Sequence, residues 1–173
     1  MRIRKAEKED AEPIALLHAE SWRTVYRGMF RDEFLDGDVI SDRIKVWSQR
    51  LNFPKDNQLV LVAEEDHKIL GFVCAFGNDD VKWGTFIDNL HVREDNKGCG
   101  IGRRLLKEAA YWSYNHFSDT GMFLWVLEPN TPARHFYEKL GAINQESKLK
   151  ESPGGGVIVN LRYVWPTLKT IVT

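Results

Sequence analysis

NKGCGIGRRLL, residues Asn96 to Leu106, sets three alternate glycines directly before a run of helix-forming residues. Glycine loses more backbone entropy on folding than any other residue, so three in one short loop mean a tight turn or a close approach to something. WGTFIDNLHV (Trp83–Val92) reads as a strand ending just before the loop, and GIGRRLLKEAAYWSYNHF (Gly100–Phe117) as the helix just after it. Strand, tight turn and helix N-terminus together suit an anion, because unpaired N–H groups and the positive end of the helix dipole point outward there. Lys97, Arg103 and Arg104 add charge of the same sign. A P-loop is excluded by spacing, since it needs Gly, four residues, then Gly-Lys-Ser/Thr, and here Gly98 is followed five residues later by Arg103. A dinucleotide fingerprint needs Gly-x-Gly-x-x-Gly near the start of a βαβ unit; this loop is Gly-x-Gly-x-Gly, past mid-chain, with hairpin strands before it. On the glycines alone, a ligand-free connection stays open.

Working outward, QLVLVAEE (Gln58–Glu65) and KILGFVCAFG (Lys68–Gly77) read as a hairpin that precedes the strand before the loop. Further upstream, Ile3–Ala6 is a short strand. Apolar residues at Ala11, Ile14, Ala15, Leu17, Trp22 and Val25 follow helical spacing up to Gly28. A second helix is predicted after Ser41, through DRIKVWSQRL. Downstream of the loop helix, MFLWVLE (Met122–Glu128) is a buried strand. NTPARHFYEKLGA (Asn130–Ala142) is a helix with Asn130 as N-cap, Pro132 in the first turn and Gly141 as stop. Ala142–Lys150 and Val157–Val164 are two late strands joined by SPGGG. The predicted class is α+β: one domain over residues 1–173, with a mixed sheet of six to seven strands flanked by four helices.

Composition bounds the function. The 173 residues are 43% hydrophobic and 28% charged with formal net charge −1. That is an ordinary globular balance without the basic field a nucleic-acid binder shows. No apolar run is long enough to span a membrane, and the charged opening MRIRKAEKED carries no signal-peptide core. Cys74 and Cys99 make no disulfide framework. Neither they nor His18, His67, His116 and His135 have metal-ligand spacing. A cytoplasmic, metal-free protein is expected.

Two segments carry a resemblance. FIDNLHVREDNKGCGIGRRLL (Phe86–Leu106) resembles the central motif of the Gcn5-related N-acetyltransferases, in which a strand leads into a Gln/Arg-x-x-Gly-x-Gly/Ala loop that opens a helix. NTPARHFYEKLGA resembles the following motif of that family, and IRKAEKEDAEPIALLHAESW (Ile3–Trp22) its first strand and helix. Lys97 departs from the usual Gln or Arg; it keeps the charge but loses the planar fork.

The resemblance implies acetyl-CoA as acyl donor and a small-molecule or peptide amine as acceptor. Residues Lys97, Gly98, Cys99, Gly100, Ile101, Gly102 and Arg103 would cradle the pyrophosphate. Leu90, His91 and Val92 would pair with the pantetheine arm where the fourth strand splays from the fifth. Asn130 would lie near the arm, and Tyr137 would protonate the leaving sulfur. The base stays open between Asp88, His91 and ordered water. In a strictly alternating strand Phe86, Asp88, Leu90 and Val92 share one face, and Ile87, Asn89 and His91 the other. Trp22 and Tyr26, one helical turn apart, and Asn89 are candidates for the acceptor side. Acids Glu20, Asp32, Glu33, Asp36 and Asp38 nearby would suit a cationic amine. Homodimers occur in the family, and a non-catalytic acetyl-CoA-binding module is the alternative to an enzyme.

Overall fold

The computed structural model describes residues 1–117 and 120–172. A seven-stranded sheet forms its centre, in the order β1-β2-β3-β4-β5-β7-β6. The strands are β1 (Arg2–Lys5), β2 (Gln58–Glu65), β3 (Lys68–Asp80), β4 (Gly84–Val92), β5 (Met122–Leu127), β6 (Ile143–Glu151) and β7 (Val157–Trp165). Four helices of nine residues or more pack on it: α1 (Ala11–Val25), α3 (Val39–Asn52), α4 (Ile101–Phe117) and α5 (Thr131–Lys139). Two short ones, α2 (Asp32–Asp36) and α6 (Lys169–Val172), complete the described helices. The expected class and mixed sheet are observed. Sequence pattern alone misses α2 and α6, starts α3 too late and ends β3 too early. Asp32 and Glu33 in the first turn of α2 complement its N-terminal dipole, but five residues are too few for a periodic signal.

Helices on both faces explain the near-continuous apolar runs of β2 and β3. On one face Leu105, Leu106, Ala109 and Ala110 of α4 and Tyr137 of α5 meet Val73, Ala75, Ile87, Leu124 and Trp165. On the other, Ile14, Ala15 and Leu17 of α1 and Trp47 and Leu51 of α3 meet Val62, Phe72, Cys74 and Phe76. A third cluster joins Ala19 and Trp22 of α1, Phe30, Leu35 of α2, Val39 of α3 and Leu127 at the end of β5.

Two irregularities in β4 shape the site. All strand pairs are antiparallel except β4 with β5, and that parallel ladder holds only Thr85↔Met122, Phe86↔Phe123 and Ile87↔Leu124. Beyond it the strands separate, leaving the β5-facing edge of residues 88–92 without a strand partner. The β3–β4 register also steps from Cys74↔Asn89 to Ala75↔Ile87, so Asp88 is the extra residue of a bulge. Strict alternation therefore fails. Phe86, Asn89 and His91 face α1 and α3, whereas Ile87, Leu90 and Val92 face α4.

Candidate active site

The glycine loop ends where α4 begins. Gly98 and Gly100 have φ of 79° and 78°, the left-handed region that side chains other than glycine rarely adopt. A Cβ built on either would meet no atom within 4 Å, so open space lies over the loop. Among the described residues, the backbone N–H groups of residues 98–103 have no backbone acceptor, while Lys97 N donates to Glu94 O and Arg104 N to Gly100 O. Gly102 lies against α5. A Cβ there would lie 3.4 Å from Phe136, an ordinary van der Waals contact between α4 and α5. Arg103 and Arg104 are exposed, and the Lys97 ammonium lies 2.6 Å from Glu94. The donor set fits a bound pyrophosphate, with up to six amides and a helix N-terminus facing open space beside cationic side chains.

The edge of β4 continues from the loop. Arg93 N donates to Leu70 O on the β3 side at 2.8 Å. Antiparallel pairing alternates donor direction, so the N–H groups of Val92 and Leu90 turn away from β3 into the gap facing β5. Leu90, Val92 and the α4-side residues make its apolar wall.

α5 faces the gap from the β5 side. Asn130 caps the helix, its Oδ1 accepting from Ala133 N at 3.3 Å. Tyr137 is buried against Phe136, Trp165 and Tyr163, at ring distances of 5.2, 6.0 and 6.5 Å. Its hydroxyl has no hydrogen-bond partner among the described residues. Burial, reinforced by the nearby Tyr26 phenol, raises its pKa well above the ordinary phenol range, so it stays protonated at neutral pH. Burial also raises Tyr26, to about 12.

The other face of β4 holds His91. Its Nδ1 lies 2.8 Å from Ser21 Oγ, and its ring is 4.5 Å from that of His18 and 5.4 Å from Phe72. Burial, then the positive charges of Lys97 and Arg43, lower its pKa to about 3. The imidazole is therefore neutral and too weak a base for an ammonium ion. His18 is wholly buried and held far below its usual pKa, chiefly by burial; its Nδ1 accepts from Trp47 Nε1 at 3.0 Å. Asp88, at the bulge, is clamped by Arg50 Nη2 at 2.6 Å, and Arg50 also donates to Asn89 Oδ1 at 2.7 Å. Both β4 side chains are thereby tied to α3.

Trp22 is 8% exposed and packs in the third cluster rather than lining open space, 5.7 Å from the ring of half-buried Tyr26. The acids suggested for a cationic amine do not converge: Glu20, Asp32, Glu33, Asp36 and Asp38 are all exposed, and Asp32 and Asp36 pair with Arg27. Arg43 and Arg50 are inward-facing charged residues that the sequence motifs do not mark. With Trp47 they sit at i, i+4 and i+7, the inward stripe of α3, and two arginines on a buried stripe are the signal that could have found them.

Comparison with known proteins decides the family. A model described as the acetyltransferase (GNAT) family matches residues 19–142, a span holding the C-terminal part of α1, the glycine loop and α5. The chain belongs to the acetyltransferase (GNAT) family. As a GNAT protein it is an acyltransferase of the N-acetyltransferase type. Among its relatives is the uncharacterized N-acetyltransferase YuaI of Bacillus subtilis, 27% identical over 99% of this chain and 96% of that protein. Another, from Mycobacterium tuberculosis and named a probable N-acetyltransferase, is 32% identical over 80% of this chain and 78% of its own length. The fold is shared with the PaiA N-acetyltransferase of Thermoplasma acidophilum, solved in complex with coenzyme A, at a TM-score of 0.66 and 21% identity. That match covers 92% of this chain and 96% of the other.

Proposed function

We propose that this GNAT protein moves the acetyl group of acetyl-CoA directly to a primary amine of a small molecule or peptide. The observation that carries this is the continuity of free donors, from the amides of the 98–103 loop to the N–H groups of Val92 and Leu90 on an unpaired strand edge. A pyrophosphate followed by an extended amide-bearing arm matches that order of donors, an added-strand mode of recognition.

Acetyl-CoA supplies the acetyl group as an activated thioester. The Leu90 N–H donates toward the thioester oxygen and stabilises the negative charge that develops as the amine nitrogen bonds to carbon. Tyr137 holds a phenolic proton in an apolar setting and delivers it to the sulfur as the C–S bond breaks. The amine loses two protons as it becomes the amide: one passes to water, and the other, relayed by water, restores the Tyr137 phenol. Asp88 is the only carboxylate on β4. Arg50 engages its Oδ2, and its Oδ1 is the oxygen left to orient that water. Asn130 fixes the start of α5 and hence the position of Tyr137.

Release of free CoA thiol in the presence of amines, with mass-spectrometric detection of the acetylated product, tests the reaction. Tight acetyl-CoA binding without thiol release on any amine would remove the catalytic assignment.

A further inference from the structure

Arg43 takes no part in the roles above, yet it turns inward from α3 onto the Trp22 ring of α1. Its guanidinium carbon is 4.3 Å from the Trp22 ring centroid. The Trp22 ring is 4.8 Å from that of His18, which is 4.5 Å from that of His91 on β4. Trp22 in turn packs with Leu127 at the end of β5. Arg43 thus spans the α1–α3 side of the place where β4 and β5 part. Its side chain is only 13% exposed.

Its hydrogen bonding is incomplete. Nε and Nη2 both donate to one oxygen, Oδ2 of the preceding residue Asp42. Nη1 has no acceptor among the described residues, although it is not sealed from solvent. Asp42 is itself 40% exposed and belongs to the outer surface. A second arginine, Arg50, stands two turns along the same stripe, its charge answered by Asp88. His18 and His91 are neutral, so they offer no negative charge to a second ammonium group. Asp42 and Asp88 thus answer the two arginine charges, and what stays open is the Nη1 edge of Arg43, which no further carboxylate approaches among the described residues.

Resting on the acetyltransferase reading above, we infer that the acceptor is a primary amine carrying a carboxylate, a free amino acid, and that Arg43 selects it. A planar guanidinium with an unused edge matches a carboxylate, and the stacked Trp22 fixes its plane. The half-buried Tyr26 ring, 5.7 Å from the Trp22 ring, gives an apolar side chain a wall. A diamine would bring a second cation toward Arg43 and be rejected.

The test is a set of matched pairs, each an amino acid and the amine left when its carboxylate is removed: phenylalanine with 2-phenylethylamine, leucine with 3-methylbutylamine, lysine with 1,5-diaminopentane. Thiol release is measured for each, with acetyl-CoA affinity measured separately by calorimetry. The expected result is a kcat/KM for the best amino acid at least about 30-fold above its partner, the order expected when a buried donor loses a charged acceptor. In Arg43→Gln that preference collapses through KM of the acid, while the amine partner and acetyl-CoA affinity change little. Arg43→Lys restores part of it. Equal use of acid and amine, a preference for the diamine, or an equal loss on both members in Arg43→Gln overturns the inference. So does binding of acetyl-CoA with no turnover of any amino acid. Absence of acetyl-CoA binding instead sinks the underlying function.

Discussion

Gly100 and Tyr137 carry separate predictions because one serves binding and the other chemistry. Gly100 combines a φ of 78° with open space above its α-carbon. Gly100→Asp places a carboxylate where the pyrophosphate would sit, and acetyl-CoA affinity should fall by about 100-fold or more by calorimetry. Tyr137→Phe keeps the ring packed on Trp165 and removes only the donor. Acetyl-CoA affinity should stay, while turnover drops on the order of 10²-fold. His91 makes a third, different prediction. Its pKa falls from 6.5 in the unfolded chain to about 3 in the fold, so the unfolded state binds more protons between those values. Its contribution to stability is full above pH 6.5 and is lost as pH falls toward 3, and His18 acts in the same direction. Urea unfolding at several pH values should show stability rising across that window, with a shallower rise in His91→Asn. The turnover profile should show no His91 inflection near pH 6.5.

At the scale of elements, much of the site is legible in the sequence because local chemistry marks it. The glycine spacing before an amphipathic helix locates the loop, and Asn130 with Pro132 and Gly141 bounds α5. Asn130→Ala should cost about 1 kcal/mol in urea unfolding, the usual value of an N-cap. The bulge at Asp88 is not legible, because FIDNLHV alternates plausibly without it. Only the pairing with β3 shows the extra residue, and with it Asn89 and His91 share a face with Phe86 rather than Ile87, and Leu90 and Val92 with Ile87 rather than Phe86. Arg43 and Arg50 escape notice for a related reason. On a sequence they look like solvated charge, and only the packing of α3 over β3 and β4 turns them inward. The β6–β7 turn looks like a plain connection, yet it meets α2: a Cβ at Gly154, where φ is 82°, would come within 2.5 Å of the Phe34 Cβ. Gly154→Ala should lift that turn from α2 and raise KM for the acceptor several-fold, leaving acetyl-CoA affinity unchanged.

Across the whole molecule, one topological fact organises the function. β4 and β5 pair for three residues and then part, so a sheet that is otherwise continuous carries an unpaired edge in its middle as well as at its rim. Element order in the sequence points to that sheet, and the family resemblance implies the split. Charge in the cleft is not foreseeable, because it depends on which of several arginines and acids fold inward. The central claim is that loop and gap together hold acetyl-CoA. The direct measurement is a calorimetric titration of the purified protein with acetyl-CoA, with CoA, ATP and NAD as comparisons. Micromolar binding of acetyl-CoA and CoA, well above that of ATP or NAD, is the predicted result. No binding of acetyl-CoA, or equal binding of all four, would contradict the account.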